Sequence, residues 1–158
     1  MTTLEIDVHG LPAPQGSKRA FRNPHSGRVQ LVESSSRVKT WREDVKQAAL
    51  DAIDSSAPNG AYLSGPIRLD VDFFVPRPKS HFRTGANAHL LRDKAPNRPV
   101  GKPDLDKLLR STCDALTAAG VWSDDSCVVA IAAAKFYAAR DHSIGARITI
   151  TPYEGPAS

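Results

Sequence analysis

Alternation of apolar and polar side chains marks two segments of the chain as strands. Residues 4–11 and 67–75 place apolar side chains at every second position, which is the period of a strand with one buried face. Residues 128–137 and 146–152 are short, mostly apolar segments that we also predict to be strands. The pattern therefore predicts four strands, and the second of them has one face in contact with water.

A period of three to four residues predicts two helices. Between residues 39 and 53 the apolar side chains recur on one helical face. Residues 106–119 have the same period and end at Gly120, whose missing Cβ suits a helix C-terminus. The order β-α-β-loop-α-β-β predicts an α/β (α+β) fold, with helices packed on a mixed β-sheet. We predict that residues 1–158 form a single domain.

Positive charge is concentrated in two segments, about 15–39 and 76–102, which we predict to be basic loops. The whole chain carries only +4, so the location of the charges is more informative than their sum. The first loop has room for a short hairpin around residues 23–27, and the second has no apolar period and is predicted to be a flexible arm. Such loops bind phosphates without reading sequence, although solubility is an alternative explanation. The predicted DNA-binding residues are Lys18, Arg19, Arg22, Arg77, Lys79, Arg83, Lys102 and Lys107.

Several classes of protein are disfavoured by the composition. Cys113 and Cys127 are too few for a disulfide framework and lack a zinc-binding spacing, so we expect a reduced, cytoplasmic protein. The chain has neither a signal-peptide pattern nor a run of apolar residues long enough to span a membrane. The tripeptide at residues 16–18 lacks the earlier glycine of a phosphate-binding loop, which argues against nucleotide hydrolysis.

Asp104 and Asp106 stand at the start of the second predicted helix. On a helix, two residues at this spacing point about 200° apart, so both can face one point only if at least one lies outside the helix. Pro103 favours a helix that begins after it, which leaves Asp104 at the entrance and Asp106 in the first turn. Arg110 and Asp114 follow Asp106 at intervals of four, so Arg110 is expected to reach both acids. The alternative is that these acids only cap the helix and pair on the surface.

A second acidic element, Asp124 and Asp125, precedes the strand predicted at residues 128–137. If the strand's alternation extends back to it, Asp125 faces the same way as Cys127 and Val129. A short helix-to-strand connection favours close packing of the two elements, which would bring the acidic pairs together. A solvated acidic turn is the alternative. Crowded carboxylates repel one another and need a cation, a proton or a base, and hard oxygen ligands favour Mg²⁺, with Mn²⁺ as a substitute.

These residues resemble the RusA family of Holliday junction resolvases, which are often carried by phages and prophages. The resemblance is carried by three segments: Lys102-Pro103-Asp104-Leu105-Asp106, Asp114-Ala115-Leu116, and Asp124-Asp125-Ser126-Cys127-Val128. It implies that Asp104, Asp106 and Asp125 are the essential metal-binding acids, with Asp124 as a helper. It also implies a homodimer, since a four-way junction is resolved by two symmetric nicks.

The chain departs from the family's pattern at two positions. The family usually has Asn where this chain has Lys107, and Lys where it has Arg110. Arg110 keeps the positive charge of a lysine but not its geometry, and we expect Arg110 or Lys107 to stabilise the scissile phosphate.

The sequence therefore predicts a Mg²⁺-dependent endodeoxyribonuclease that resolves four-way DNA junctions in recombination and repair. One alternative is a less selective nuclease for flaps or other branched DNA that uses the same acids. The other is a DNA-binding protein without catalytic activity, in which the acids hold a structural ion.

Overall fold

The computed structural model describes residues 3–16, 18–33, 36–56, 63–139 and 144–156. In chain order the strands and helices are β1 (Leu4–His9), β2 (Lys18–Arg22), β3 (Val29–Glu33), α1 (Ser36–Ser56), β4 (Ile67–Val75), α2 (Leu105–Ala119), β5 (Val128–Tyr137) and β6 (Gly145–Pro152). Neither helix of the described residues is long and apolar enough to cross a membrane.

Four of the strands form one mixed sheet in the order β1-β6-β4-β5. β6 pairs antiparallel with both β1 and β4, whereas β4 and β5 run parallel. β5 and β6 follow each other along the chain but are not neighbours, because β4 lies between them. The predicted α+β fold with a mixed sheet is confirmed.

The alternating strands bury one face against the two helices. Burial alternates along β1 and β4 as their sequences predict, and Phe73 of β4 packs with its ring centroid 6.5 Å from that of Trp41 in α1. The indole Nε1 of Trp41 donates a 3.1 Å hydrogen bond to Thr112 Oγ1, so this buried polar pair ties α1 to α2. Leu108 and Leu116 of α2 are fully buried in the same core. Helix α2 is thereby held rigidly over the sheet.

The segment predicted as the first basic loop contains a β-hairpin. β2 and β3 pair antiparallel from Lys18↔Glu33 to Arg22↔Val29, in a sheet separate from the central one. Its turn is closed by backbone bonds between Asn23 and Arg28 and between Gly27 and Asn23, where the sequence allowed a short hairpin. The prediction of a loop over most of this segment was wrong, because closely spaced charges obscure the apolar positions of the two strands.

The second basic segment is also more ordered than predicted. It contains two short 3-10 turns, Lys79–His81 and Gly85–Asn87, and a bridge between Phe82 and Leu91. Arg77 anchors it: its guanidinium lies 4.1 Å from the centroid of the Tyr137 ring and donates a 2.7 Å hydrogen bond to Pro96 O. The segment, predicted as a flexible arm, is folded against the end of β5 instead.

Candidate functional site

The acidic motif consists of Asp104 and Asp106, which stand on either side of Leu105, the first residue of α2. Asp104 has extended backbone (φ −70°, ψ 135°), and its carbonyl oxygen accepts from Leu108 N at 3.0 Å. Its carboxylate forms no capping hydrogen bond and lies 3.4 Å from Lys107 Nζ. Asp106 occupies the first helical turn and is exposed. Asp104 therefore stands at the helix entrance as predicted, but its side chain does not serve as the helix cap.

Lys135 of β5 holds the segment that leads into Asp104. Its ammonium nitrogen donates to the carbonyl oxygens of Gly101 and Pro103, both at 2.9 Å. Pro103 follows Lys102 through a cis peptide bond and directly precedes Asp104. Sequence reasoning missed Lys135, because a single lysine in an apolar strand has no local motif. The only signal was that it is the one charged residue between Asp125 and Ala139.

The chain between β1 and β2 supports the other side of α2. Gln15 N donates to Lys107 O at 3.0 Å, and Ser111 Oγ, which is buried, donates to Ala13 O at 2.7 Å. Arg42 of α1 donates to the side-chain oxygen of Gln15. The first turns of α2, which carry Asp106, are thus bonded to the segment between β1 and β2, and Arg42 of α1 contacts that segment in turn.

Asp125 begins a 3-10 turn before β5, and Asp124 is the N-cap residue of that turn. The carboxylate of Asp124 accepts from Ser126 N at 2.8 Å, and the hydrogen bonds from Ser126 lower the pKa of this carboxyl. The turn covers Asp125–Cys127, and the pairing of β4 with β5 shifts register at its start. The orientation predicted for Asp125 from strand alternation therefore does not apply, because the extended strand does not reach back to this residue.

Cys113 relates Asp125 to the acidic motif. Burial, together with smaller contributions from the negative charges of Asp125 and Asp114, raises the pKa of the Cys113 thiol to about 12. Cys113 lies seven residues after Asp106, which is about 10.5 Å along a helix and nearly the same face. The 3-10 turn that carries Asp125 contacts α2, which places Asp125 near Cys113, about two helical turns from Asp106.

The predicted metal ligands are not grouped into a cluster. Among the described residues, no three His, Cys, Asp or Glu side chains are arranged to hold a metal ion. The donor chemistry nevertheless fits Mg²⁺, since the four acids offer hard oxygen atoms and are exposed. Binding one ion through three of them would require their side chains to rotate toward a common point.

Arg110 does not pair with the acids on either side of it. It is exposed, and among the described residues it forms no ion pair, so the expected reach to Asp106 and Asp114 is not seen. Asp114 instead lies 3.3 Å from Nη2 of Arg42. The guanidinium of Arg110 is thus exposed to solvent one helical turn after Asp106.

The predicted DNA-binding residues differ in their surroundings. Lys79, Lys102 and Arg22 are exposed, whereas Arg83 is paired with Asp93 at 3.0 Å. Arg77 is half-buried in its contacts with Tyr137 and Pro96, and Lys107 lies beside Asp104. The backbones of Lys18 and Arg19 lie in β2, but their side chains are outside the described part of the structure.

Exposed carboxylates with lysines and arginines beside them supply the groups that metal-assisted hydrolysis of a phosphodiester uses. Residues 10–151 match the family described as Endodeoxyribonuclease RusA. The chain belongs to this family, which implies endodeoxyribonuclease activity. It is also 30% identical, over 141 residues, to the uncharacterized protein YqaN of Bacillus subtilis (strain 168), an alignment that covers 87% of this chain and 89% of YqaN.

Proposed function

We propose that this protein is a Mg²⁺-dependent endodeoxyribonuclease that resolves four-way DNA junctions in recombination and repair. The observation that carries the proposal is the pair of exposed carboxylates, Asp104 and Asp106, at the rigid start of α2, within a chain of this family. We further propose that it acts in the cytoplasm and, following the resemblance, is encoded by a phage or prophage.

The proposed metal ligands are Asp104, Asp106 and Asp125, with Asp124 as a helper. A bound Mg²⁺ would polarise the scissile phosphate and lower the pKa of a water nucleophile, and Mn²⁺ would substitute for it. Asp124 is held by the backbone of Ser126, which would limit it to one free oxygen.

Positive side chains would complete the site. Arg110 is exposed on α2 one turn after Asp106, so its guanidinium is free to neutralise charge on the phosphate. Lys107 Nζ lies 3.4 Å from the carboxylate of Asp104 and would balance the negative charge of the acids when no DNA is bound. Exposed cations of the hairpin and of the second basic segment, including Arg22, Lys79 and Lys102, would bind the arms of the junction through their phosphates.

The decisive experiment measures cutting of a synthetic four-way junction, a flap and a linear duplex of matched sequence at one salt concentration. Paired symmetric nicks in the junction alone support the proposal. Nicks in all branched substrates favour the less selective nuclease, and binding without cutting favours the non-catalytic protein.

Two variants assign the activity to the acidic site. Asp106→Asn is expected to lower the cutting rate at saturating Mg²⁺ by at least about 1,000-fold, since each tenfold in rate is about 1.4 kcal/mol and a lost metal ligand costs several kcal/mol. Glu5→Gln removes an exposed carboxylate on β1, outside the motif, and is the matched control. Junction cutting by Asp106→Asn at the wild-type rate would refute the assignment.

We also propose that the active form is a homodimer, because paired nicks need two active sites related by symmetry. Light scattering at the concentrations used for cutting tests this directly. A monomer that still makes paired nicks would contradict it.

A further inference from the structure

A cavity of about 570 Å³ opens beside the acidic motif. Its walls come from the segment after β1, the end of β4, the second basic segment and Tyr137 at the end of β5. Two of its lining residues, Ala13 and Val75, are almost completely buried, so the cavity reaches down to the hydrophobic core. The volume falls in the range of small-molecule sites, roughly 300–1,000 Å³.

The lining of the cavity combines an apolar surface with two positively charged side chains. Most of it is apolar and much of it consists of flat or rigid rings, including several prolines, Tyr137 and His81. The imidazole of His81 meets the Tyr137 ring edge-on at 5.6 Å, and Arg77 covers that ring at 4.1 Å, so the aromatic wall is fixed in place. Two cationic side chains, Arg37 and Lys102, also line the cavity, and both residues are exposed to solvent.

The cavity and the acidic motif share a wall. Gly101, Lys102 and Pro103 line the cavity, and the next residue is Asp104, about 3.8 Å from Pro103 between Cα atoms. Lys135 fastens this wall by its bonds to the carbonyl oxygens of Gly101 and Pro103. The wall of the cavity therefore leads directly into Asp104, a proposed metal-binding residue.

We propose that the cavity binds a nucleobase of the DNA substrate, unstacked from its neighbours, while the phosphate attached to that nucleotide lies at the acidic motif. A nucleobase is flat and largely apolar on its faces, which suits a ring-lined cavity, and its phosphate is anionic, which suits Arg37 and Lys102. The inference rests on the proposed function.

The nucleobase site supplies a physical basis for selecting branched DNA. Removing a base from a continuous duplex costs its stacking and pairing, whereas this cost is smallest where the stack is already interrupted. In a four-way junction two strands cross from one helix to another at the branch point, and the stacking along these two strands is interrupted there. A nuclease that needs one base in a pocket before its phosphate reaches the acids would then cut junctions in preference to linear duplex.

The test replaces single bases on either side of the cleaved phosphate with 2-aminopurine, whose fluorescence changes when it unstacks. Ca²⁺ replaces Mg²⁺ to prevent cutting, and junction binding is followed separately by the anisotropy of a distant label. Val100→Trp is the blocking variant, because Val100 lines the cavity but is 86% exposed, so an indole can cover the opening without disturbing the core. Val100→Thr keeps the size of the side chain and is the matched control.

For the wild type and Val100→Thr we expect a fluorescence change of at least about 3-fold at one position next to the cleaved phosphate and none two nucleotides away. For Val100→Trp we expect this change to disappear, with junction affinity within about 3-fold of the wild type and the junction-to-duplex cutting ratio reduced by at least about 10-fold.

The outcomes separate this proposal from the one on which it rests. Junction binding and cutting without any position-specific fluorescence change, or with the same change in Val100→Trp, would overturn the nucleobase site and leave the proposed function standing. Failure to bind or cut junctions would overturn both. If Val100→Trp instead abolished self-association, the cavity would be a contact between two copies of the chain, and the nucleobase site would be rejected.

Discussion

Replacing Lys135 with methionine tests whether the site is held in place from β5. Methionine keeps an unbranched apolar stem but removes both hydrogen bonds to the carbonyl oxygens of Gly101 and Pro103. The two carbonyls belong to the three residues before Asp104, so their release lets the Asp104 carboxylate move relative to Asp106. We expect Lys135→Met to fold and bind junctions but to cut them slowly.

The size of the effect follows from the two bonds. A hydrogen bond to a charged group contributes about 1.5–3 kcal/mol, and the half-exposed position of Lys135 favours the lower end of that range for each bond, so losing both costs about 3 kcal/mol. If most of this free energy maintains the geometry of Asp104, the single-turnover cutting rate falls by roughly 30- to 100-fold, at about 1.4 kcal/mol for each tenfold.

The assay must separate positioning from a direct contact with DNA. A lysine that contacts a phosphate adds about one to the slope of log affinity against log salt concentration, whereas a positioning lysine leaves that slope unchanged. We expect Lys135→Met to keep the wild-type salt slope and to exchange amide hydrogens faster at Gly101, Lys102 and Asp104. Lys94→Met makes the same substitution at an exposed residue of the second basic segment, and it controls for the loss of one positive charge. A wild-type cutting rate, or a salt slope lower by one with unchanged exchange, would refute the reasoning.

Three further predictions concern the framework of the site. Gly145→Ala is expected to destabilise the fold by at least about 2 kcal/mol in urea unfolding, because an added Cβ would lie 1.8 Å from the carbonyl oxygen of Val8. Thr112→Val removes the acceptor of the buried Trp41 Nε1 and should cost about 1–3 kcal/mol in the same measurement. The Cys113 thiol, with its pKa raised from 9.0 to about 12, should resist iodoacetamide at pH 8 in the folded protein, and its contribution to stability should be lost as pH rises from 9 to 12.

Each of these predictions has a matched comparison. Gly27→Ala has nothing within 4 Å of its added Cβ and φ of +67°, so it should cost only about 1–2 kcal/mol, and a larger loss than in Gly145→Ala would contradict the steric argument. Thr112→Ser keeps the hydroxyl and should be less destabilising than Thr112→Val. If Cys113→Ala and the wild type lost stability in parallel between pH 9 and 12, the thiol would not be the group responsible.

The fold could be predicted from the sequence wherever one periodicity dominated. β4 was predicted with its observed limits and α2 to within one residue, because each has a clear apolar face and a proline or glycine at its end. The sequence allowed the turn of the hairpin, but it predicted neither the two strands nor the order in the second basic segment, because backbone hydrogen bonds and contacts distant in sequence, such as Arg77 with Tyr137, determine them. α1 begins at Ser36, three residues before the prediction, since polar residues at a helix start leave no periodic signal.

In the candidate site, too, features set by neighbouring residues could be predicted, and features set by contacts distant in sequence could not. The place of Asp104 outside α2 followed from Pro103 alone, and it is what the structure has. The orientation of Asp125 depended on extending a strand's alternation through a 3-10 turn and a register shift, neither of which has a sequence signature here. Lys135 lies 31 residues from Asp104 along the chain and reaches its neighbours only because β5 ends beside them. The sequence therefore pointed to the acids proposed to react but missed Lys135, which bonds to the backbone just before them, and for that reason Lys135→Met is a sharper test of the assembled site than removal of any of the acids.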